Sequence, residues 1–233
     1  MSKKVKEKPG KEVYEDPDVL AERLAKTEEF VRTNRKYVFG LGGLIAVAIA
    51  GIFIYKYYMA NQNEIAQNEM FQAVYYFEAD SLVKALNGDG NNYGFLDIID
   101  EYKGTDAANL SHFYVGAAYL KQGNYDGAII HLQKFSASDL LLQARAYSLI
   151  GDAYMGLGNY SSAADAYTKA ANYRPNEFFT PSYLMKAALA YERDGNYSAA
   201  MSSYDKIINQ YANATEFQNA RKHKARLEAL SSK

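Results

Sequence analysis

The chain has 233 residues, 48% of them hydrophobic and 23% charged, with a formal net charge of −1. That composition belongs to a folding polypeptide, and the charge balance excludes a nucleic-acid-binding field carried by the whole chain. With no cysteine there is no disulfide, thiolate nucleophile or cysteine-ligated zinc, and the redox compartment cannot be read.

Residues 1–15 are rich in Lys and Glu and are expected to be disordered. Asp16-Pro17 reads as a helix start, with Asp at the N-cap and Pro at the first helical position. Val19, Leu20, Leu24, Phe30 and Val31 then recur at helical spacing. They suit either an amphipathic helix leading into a membrane or a plain solvated one. We take residues 1–36 as one charged segment with a short helix.

From Tyr37 to Tyr55 no charge occurs. At 1.5 Å per residue this run is about 28 Å long, close to the hydrocarbon thickness of a bilayer. Tyr37 and Phe39 stand at one end and Phe53, Tyr55, Tyr57 and Tyr58 at the other, where an aromatic belt would lie. A transmembrane helix over residues 37–58 is therefore expected. A buried core helix or a cleaved signal peptide fits less well, because the preceding segment is long and carries acids, the apolar run is long for a signal peptide, and no A-x-A site follows. The cations Arg23, Lys26, Arg32, Arg35 and Lys36 precede the run, and only Lys56 follows closely. The positive-inside rule then leaves the N-terminus in the cytoplasm, with the rest in a periplasm or, in a eukaryote, a lumen. Gly42, Ala46 and Ala50 fall four apart on one helix face, where a second transmembrane helix could approach closely.

Beyond the span, helices over about Gln62–Leu86 and Gly94–Tyr102 form an irregular first unit within residues 60–108. A period near 35 residues follows. Its markers are Gln122-Gly123-Asn124-Tyr125, Leu157-Gly158-Asn159-Tyr160 and Asp194-Gly195-Asn196-Tyr197. The clearest unit spans Ala144–Glu177 and places Tyr147, Ile150, Gly151 and Tyr154 on a first helix. Ala163, Tyr167 and Ala170 lie on its second, and Pro175 ends it. Val115, Gly116, Tyr119, Ala128, Leu132 and Phe135 stand at equivalent positions before it. Leu184, Ala187, Ala188, Tyr191, Ala200, Tyr204 and Ile207 do so after it. These types and spacings resemble the tetratricopeptide repeat (TPR). The resemblance implies an all-α chain: one N-terminal transmembrane helix, then a TPR α-solenoid with three units over 109–213. A helix over Glu216–Leu230, within the tail 214–233, would cap the open end.

No P-loop, dinucleotide-binding glycine motif or nucleophile elbow occurs, so no catalytic residue, cofactor, metal or small-molecule substrate is expected. His112, His131 and His223 lack carboxylates at metal-ligand spacing, and His112 and His131 read as packing or surface residues. Asp97, Asp100 and Glu101 read as a solvated face. Arg221, Lys222, Lys224 and Arg226 read as a polar cap surface or a contact for anionic partners.

In TPR domains the first helix of each pair lines a concave face that binds a peptide or a helix. Carried over, that face presents Leu110, Phe113, Ala117 and Leu120, then Arg145, Ser148, Asp152 and Met155, then Ser182, Met185, Leu189 and Glu192. The lysines and asparagines with which chaperone-binding relatives clamp a terminal carboxylate are absent. The face instead suits apolar or amphipathic segments, with Met155 and Met185 as adaptable contacts.

The order of parts adds a narrower resemblance. A charged segment, Glu28-Glu-Phe-Val-Arg-Thr-Asn-Arg-Lys36, a Gly/Ala-rich span, Tyr57-Tyr58 and repeats together resemble the ancillary SecYEG translocon subunit family of bacterial inner membranes. The stretch Phe95–Leu110 looks like TPR proteins of the Bacteroidota. This implies a non-enzymatic scaffold at the periplasmic face of the inner membrane, partnering Sec translocon subunits, periplasmic chaperones or emerging polypeptides. An assembly factor for cytochrome c maturation or outer-membrane machinery remains the alternative.

Overall fold

The computed structural model describes residues 17–231. Asp16 and the Lys/Glu-rich start lie outside the described residues, as do the side chain of Val19 and the last two residues. Among the described residues every regular element is a helix. They are α1 (Pro17–Thr33), α2 (Arg35–Glu78), α3 (Leu82–Asn87), α4 (Phe95–Glu101), α5 (Asp106–Lys121) and α6 (Tyr125–Lys134), followed by α7 (Leu142–Gly156), α8 (Tyr160–Asn172), α9 (Thr180–Arg193), α10 (Tyr197–Gln210) and α11 (Phe217–Ser231). The chain divides into two compact units between Tyr58 and Met59.

In the first unit α1 carries Leu20, Leu24, Phe30 and Val31 exposed, with Glu22 and Lys26 paired one turn apart at 2.7 Å. Asn34 interrupts the helix, its side-chain amide donating to the Phe30 carbonyl at 3.0 Å. The apolar run of α2 follows, long and apolar enough to cross a membrane, and none of its most apolar 18-residue window is buried. A core helix of a soluble protein would be covered; among the described residues this window is not. Among the described residues a Cβ at Gly40, Gly42, Gly43 or Gly51 would meet nothing within 4 Å.

The second unit begins with the rest of α2. Ala66, Met70 and Ala73 recur at helical spacing and are buried against Ala85 and Leu86 of α3, Phe95 and Ile98 of α4, and Ala107, Val115 and Ala118 of α5. A helix unbroken from Gln62 to Leu86 is expected from the sequence; the structure ends it at Glu78. Asp80 takes the left-handed conformation (φ 57°), and the amides of Asp80 and Ser81 donate to the carbonyls of Phe77 and Tyr76. This Schellman closure satisfies the terminal carbonyls and turns the chain.

The same closure recurs at each marker. Gly123, Gly158 and Gly195 have φ of 76°, 73° and 79°, a region where a side chain is strained. The amides of Asn124, Asn159 and Asn196 donate to Tyr119, Tyr154 and Tyr191. Each Asn then accepts, through its side-chain oxygen, the amide of Gly127, Ser162 or Ala199, and so caps the next helix. The Gly-Asn-Tyr marker is thus one helix stop and one helix start with nothing between.

The paired helices cross where a side chain would not fit. A Cβ on Gly116 would lie 2.5 Å from Leu132, and one on Gly151 2.5 Å from the Tyr167 ring. Ala188 is the buried counterpart in the third unit, packed in one cluster with Tyr204. Finally α11 lays Ala220 and Leu227 over Leu184, Ala200, Tyr204 and Ile207, closing the stack with a polar outer side.

Replacing Asn159 by Ala removes one cap and should cost about 1 kcal/mol, whereas Asp should hold stability within a few tenths. Far-UV denaturant melts of the detergent-solubilised chain measure both. Equal losses for the two changes would contradict the capping role.

The candidate protein-binding face

The first helices of successive pairs are the end of α2, then α5, α7 and α9, and side chains link each to the next. The Ser111 hydroxyl donates to the Met70 sulfur at 3.4 Å. Phe113 of α5 lies in one cluster with Ala146 and Ile150 of α7. The Lys186 ammonium of α9 donates to the Asp152 carboxylate of α7 at 2.8 and 3.0 Å and to the Ser148 hydroxyl at 3.3 Å.

These links decide which of the expected face residues are available. Phe113 is only 7% exposed, its ring 5.3 Å from that of Phe135. It fills the space between neighbouring pairs, so the structure corrects its reading as a contact surface. Ser148, at 4%, is likewise interior, its hydroxyl taken by Lys186. Asp152 is already engaged on both oxygens: besides Lys186 it accepts the Tyr167 hydroxyl at 2.6 Å. Glu192 is held by the Tyr204 hydroxyl at 2.6 Å, by Arg226 and by His223 at 3.4 Å. Neither carboxylate is free to set the register of a bound segment. Burial first, and then the hydrogen-bonded carboxylate, hold both tyrosine hydroxyls well above their ordinary pKa, so they stay protonated donors.

The two clusters are one device used twice. Asp152 to Lys186 and Glu192 to Arg226 each span 34 residues, one repeat period. A carboxylate on a first helix is fixed by the tyrosine of its own second helix and by a cation from the next first helix. Two further members of the basic run on α11 are engaged as well: Lys224 pairs with Asp205 at 2.7 Å, and Arg221 lies over the Phe217 ring.

What remains accessible is mostly apolar, with Arg145 and Ser182 as its polar members. Leu110, Ala117, Leu120, Met155, Ser182 and Met185 are half-buried, Arg145 is exposed, and Leu189 is 37% exposed. Leu110 also lines a cleft of about 460 Å³ with Gln67, Met70, Phe71 and Val74 of α2 and Asp106 and Ala107 of α5. Phe71, 72% exposed, and Tyr75 stand beside the buried stripe of α2 without covering it. These α2 residues are absent from the face read from sequence, because the irregular first unit carries no repeat marker. Their signal was nevertheless there: two aromatics off the Ala66–Met70–Ala73 stripe. Gly42, Ala46 and Ala50 belong to the first unit, where all three are exposed.

One contact was not readable at all. His112 of α5 and His131 of α6 place their Nδ1 atoms 3.1 Å apart, within hydrogen-bond distance, with the tautomers deciding which ring donates. Burial, the neighbouring imidazole and Lys134 push His131 down to about 4; burial and Lys134 also lower His112.

A family model for the tetratricopeptide repeat matches residues 116–177 and again 148–215, two windows offset by about one unit. The fold is a TPR solenoid. Its repeats belong to a class of scaffolds that bind other proteins. No curated protein matches the chain.

The histidine pair sets a pH dependence. An unfolded imidazole takes up a proton near pH 6.5, while folded His131 resists until about 4. The unfolded state therefore binds more protons in that window, and stability should fall as pH drops through it. Urea midpoints with chelator present should decline from pH 7 to 4, and His131→Phe should flatten the part of the decline above pH 5. An unchanged slope in the variant would count against the pair.

Proposed function

We propose that this chain is a non-enzymatic, membrane-anchored scaffold. Its apolar helix holds it in a bacterial inner membrane, and its repeats capture apolar or amphipathic protein segments on the periplasmic side. The observation that carries the reading is the accessible first-helix face, in which carboxylates are internally neutralised while Phe71, Leu110, Met185 and Leu189 remain in reach of solvent. Affinity on such a face comes from burial, about 1.5–3 kcal/mol for each large side chain fully covered. The resemblance of the charged segment, span and repeats to the ancillary SecYEG subunit family supports partners among Sec translocon subunits, periplasmic chaperones and emerging polypeptides.

Topology is open to direct measurement. Protease added to spheroplasts should degrade the repeats; if they survive until lysis, the cation asymmetry has been misread.

Partner capture is tested by affinity purification from mild detergent. Translocon subunits or a periplasmic chaperone should co-purify, whereas haem-handling or outer-membrane machinery would favour the assembly-factor alternative. Phe71→Ser with Leu189→Ser should lower recovery at least about tenfold while helicity stays, because both side chains are exposed and their loss leaves the core intact. Recovery that survives this change but is abolished by Gly42→Leu with Ala46→Leu would move recognition to the span.

A further inference from the structure

We propose that His112 and His131 together chelate a late first-row divalent cation, Cu²⁺ most strongly, through their Nδ1 atoms. The site stands apart from the protein-binding face and does not depend on it. The two nitrogens are 3.1 Å apart, with ring centroids 5.1 Å apart and planes tilted by 46°. Imidazole nitrogens about 2.0–2.1 Å from one metal stand roughly 2.9 Å apart at a right angle and roughly 3.3 Å apart at a tetrahedral angle. The observed separation falls between these limits. The centroids are also nearer than a collinear N–H···N contact at this distance would place them, so the ring axes bend off the line, as they do for neighbouring ligands of one cation.

The pair is built rather than accidental. His112 sits on the first helix of its unit and His131 on the second, and the spacing of these helices is set by the close Gly116–Leu132 crossing. The Tyr119 ring stands edge-on to His131 at 5.6 Å and limits its rotation. Binding requires the donor ring to give up its Nδ1 hydrogen and take one up at Nε2 by exchange with water, so that both neutral imidazoles offer an Nδ1 lone pair and no net proton is released. His112 also lines a polar cleft of about 570 Å³ with Asn109 and Ser136, from which water can complete the coordination. Imidazole suits Cu²⁺, Ni²⁺ and Zn²⁺, and the Irving–Williams order puts Cu²⁺ first. Lys134 lies in the same cleft and opposes the bound charge.

Composition makes the test clean. The chain has no cysteine and three histidines, and the third, His223, faces Glu192 and Arg226. Full-length protein without a histidine tag, in detergent, is titrated with Cu²⁺ by calorimetry, and its electron paramagnetic resonance spectrum is recorded. One equivalent should bind with a two-nitrogen donor set. His112→Gln or His131→Gln should weaken it at least about tenfold, and Lys134→Met should tighten it severalfold. The spectrum of the unaltered protein and the Lys134 variant keep the test valid if a histidine variant unfolds. Absence of one-equivalent binding overturns the proposal. So does binding that ignores both histidine changes, is lost only with His223→Gln, or shows no paired nitrogens.

Discussion

The second unit depends on how the chain reverses between paired helices. Each reversal must satisfy the last carbonyls of one helix and the first amides of the next, and it must do so in three residues. Glycine supplies the left-handed position, and asparagine serves both helices at once. With so short a turn the two helices are forced into contact, and Gly116, Gly151 and Ala188 then follow as a requirement of that closeness. At Asp80-Ser81 the same hydrogen bonds form with neither residue of the marker. Asp80 takes the left-handed position there, and its carboxylate pairs with Lys121 of α5 at 2.7 Å on the surface.

Between units a different interaction takes over. Apolar contact is non-directional and would tolerate sliding of one pair along the next. The carboxylate–tyrosine–cation clusters at Asp152 and Glu192 do not tolerate it, because the three members of each come from three separate helices. Partly exposed ion pairs contribute little net stability, so their main effect here is to fix register. Arg226 also shows what α11 is: it stands one period after Glu192, where a fourth first helix would provide a cation.

Much of this was legible in the residues. The all-helical class and the repeat register could be read because the markers encode local backbone chemistry, and local chemistry survives translation into structure. The accessible face was less legible. Phe113 and Ser148 occupy positions that look outward on an isolated pair and become interior only when the next pair packs on. Asp152 and Glu192 look free until cations 34 residues away arrive. The His112–His131 contact depends on tertiary proximity between residues of no fixed spacing. Sequence periodicity carries no information about such pairs.

The reach of the contacts also bears on how the second unit forms. The hydrogen bond from the Ala107 amide to the Asn63 side chain, 44 residues apart, is among the longest along the chain, and the inter-unit ties span 34. Low contact order of this kind favours fast folding, since little loop entropy is lost before each contact forms. No closing step joins the first repeat to the last. A chain emerging lengthwise through a pore can therefore complete each pair, and dock it on the one before, while the remainder is still unfolded.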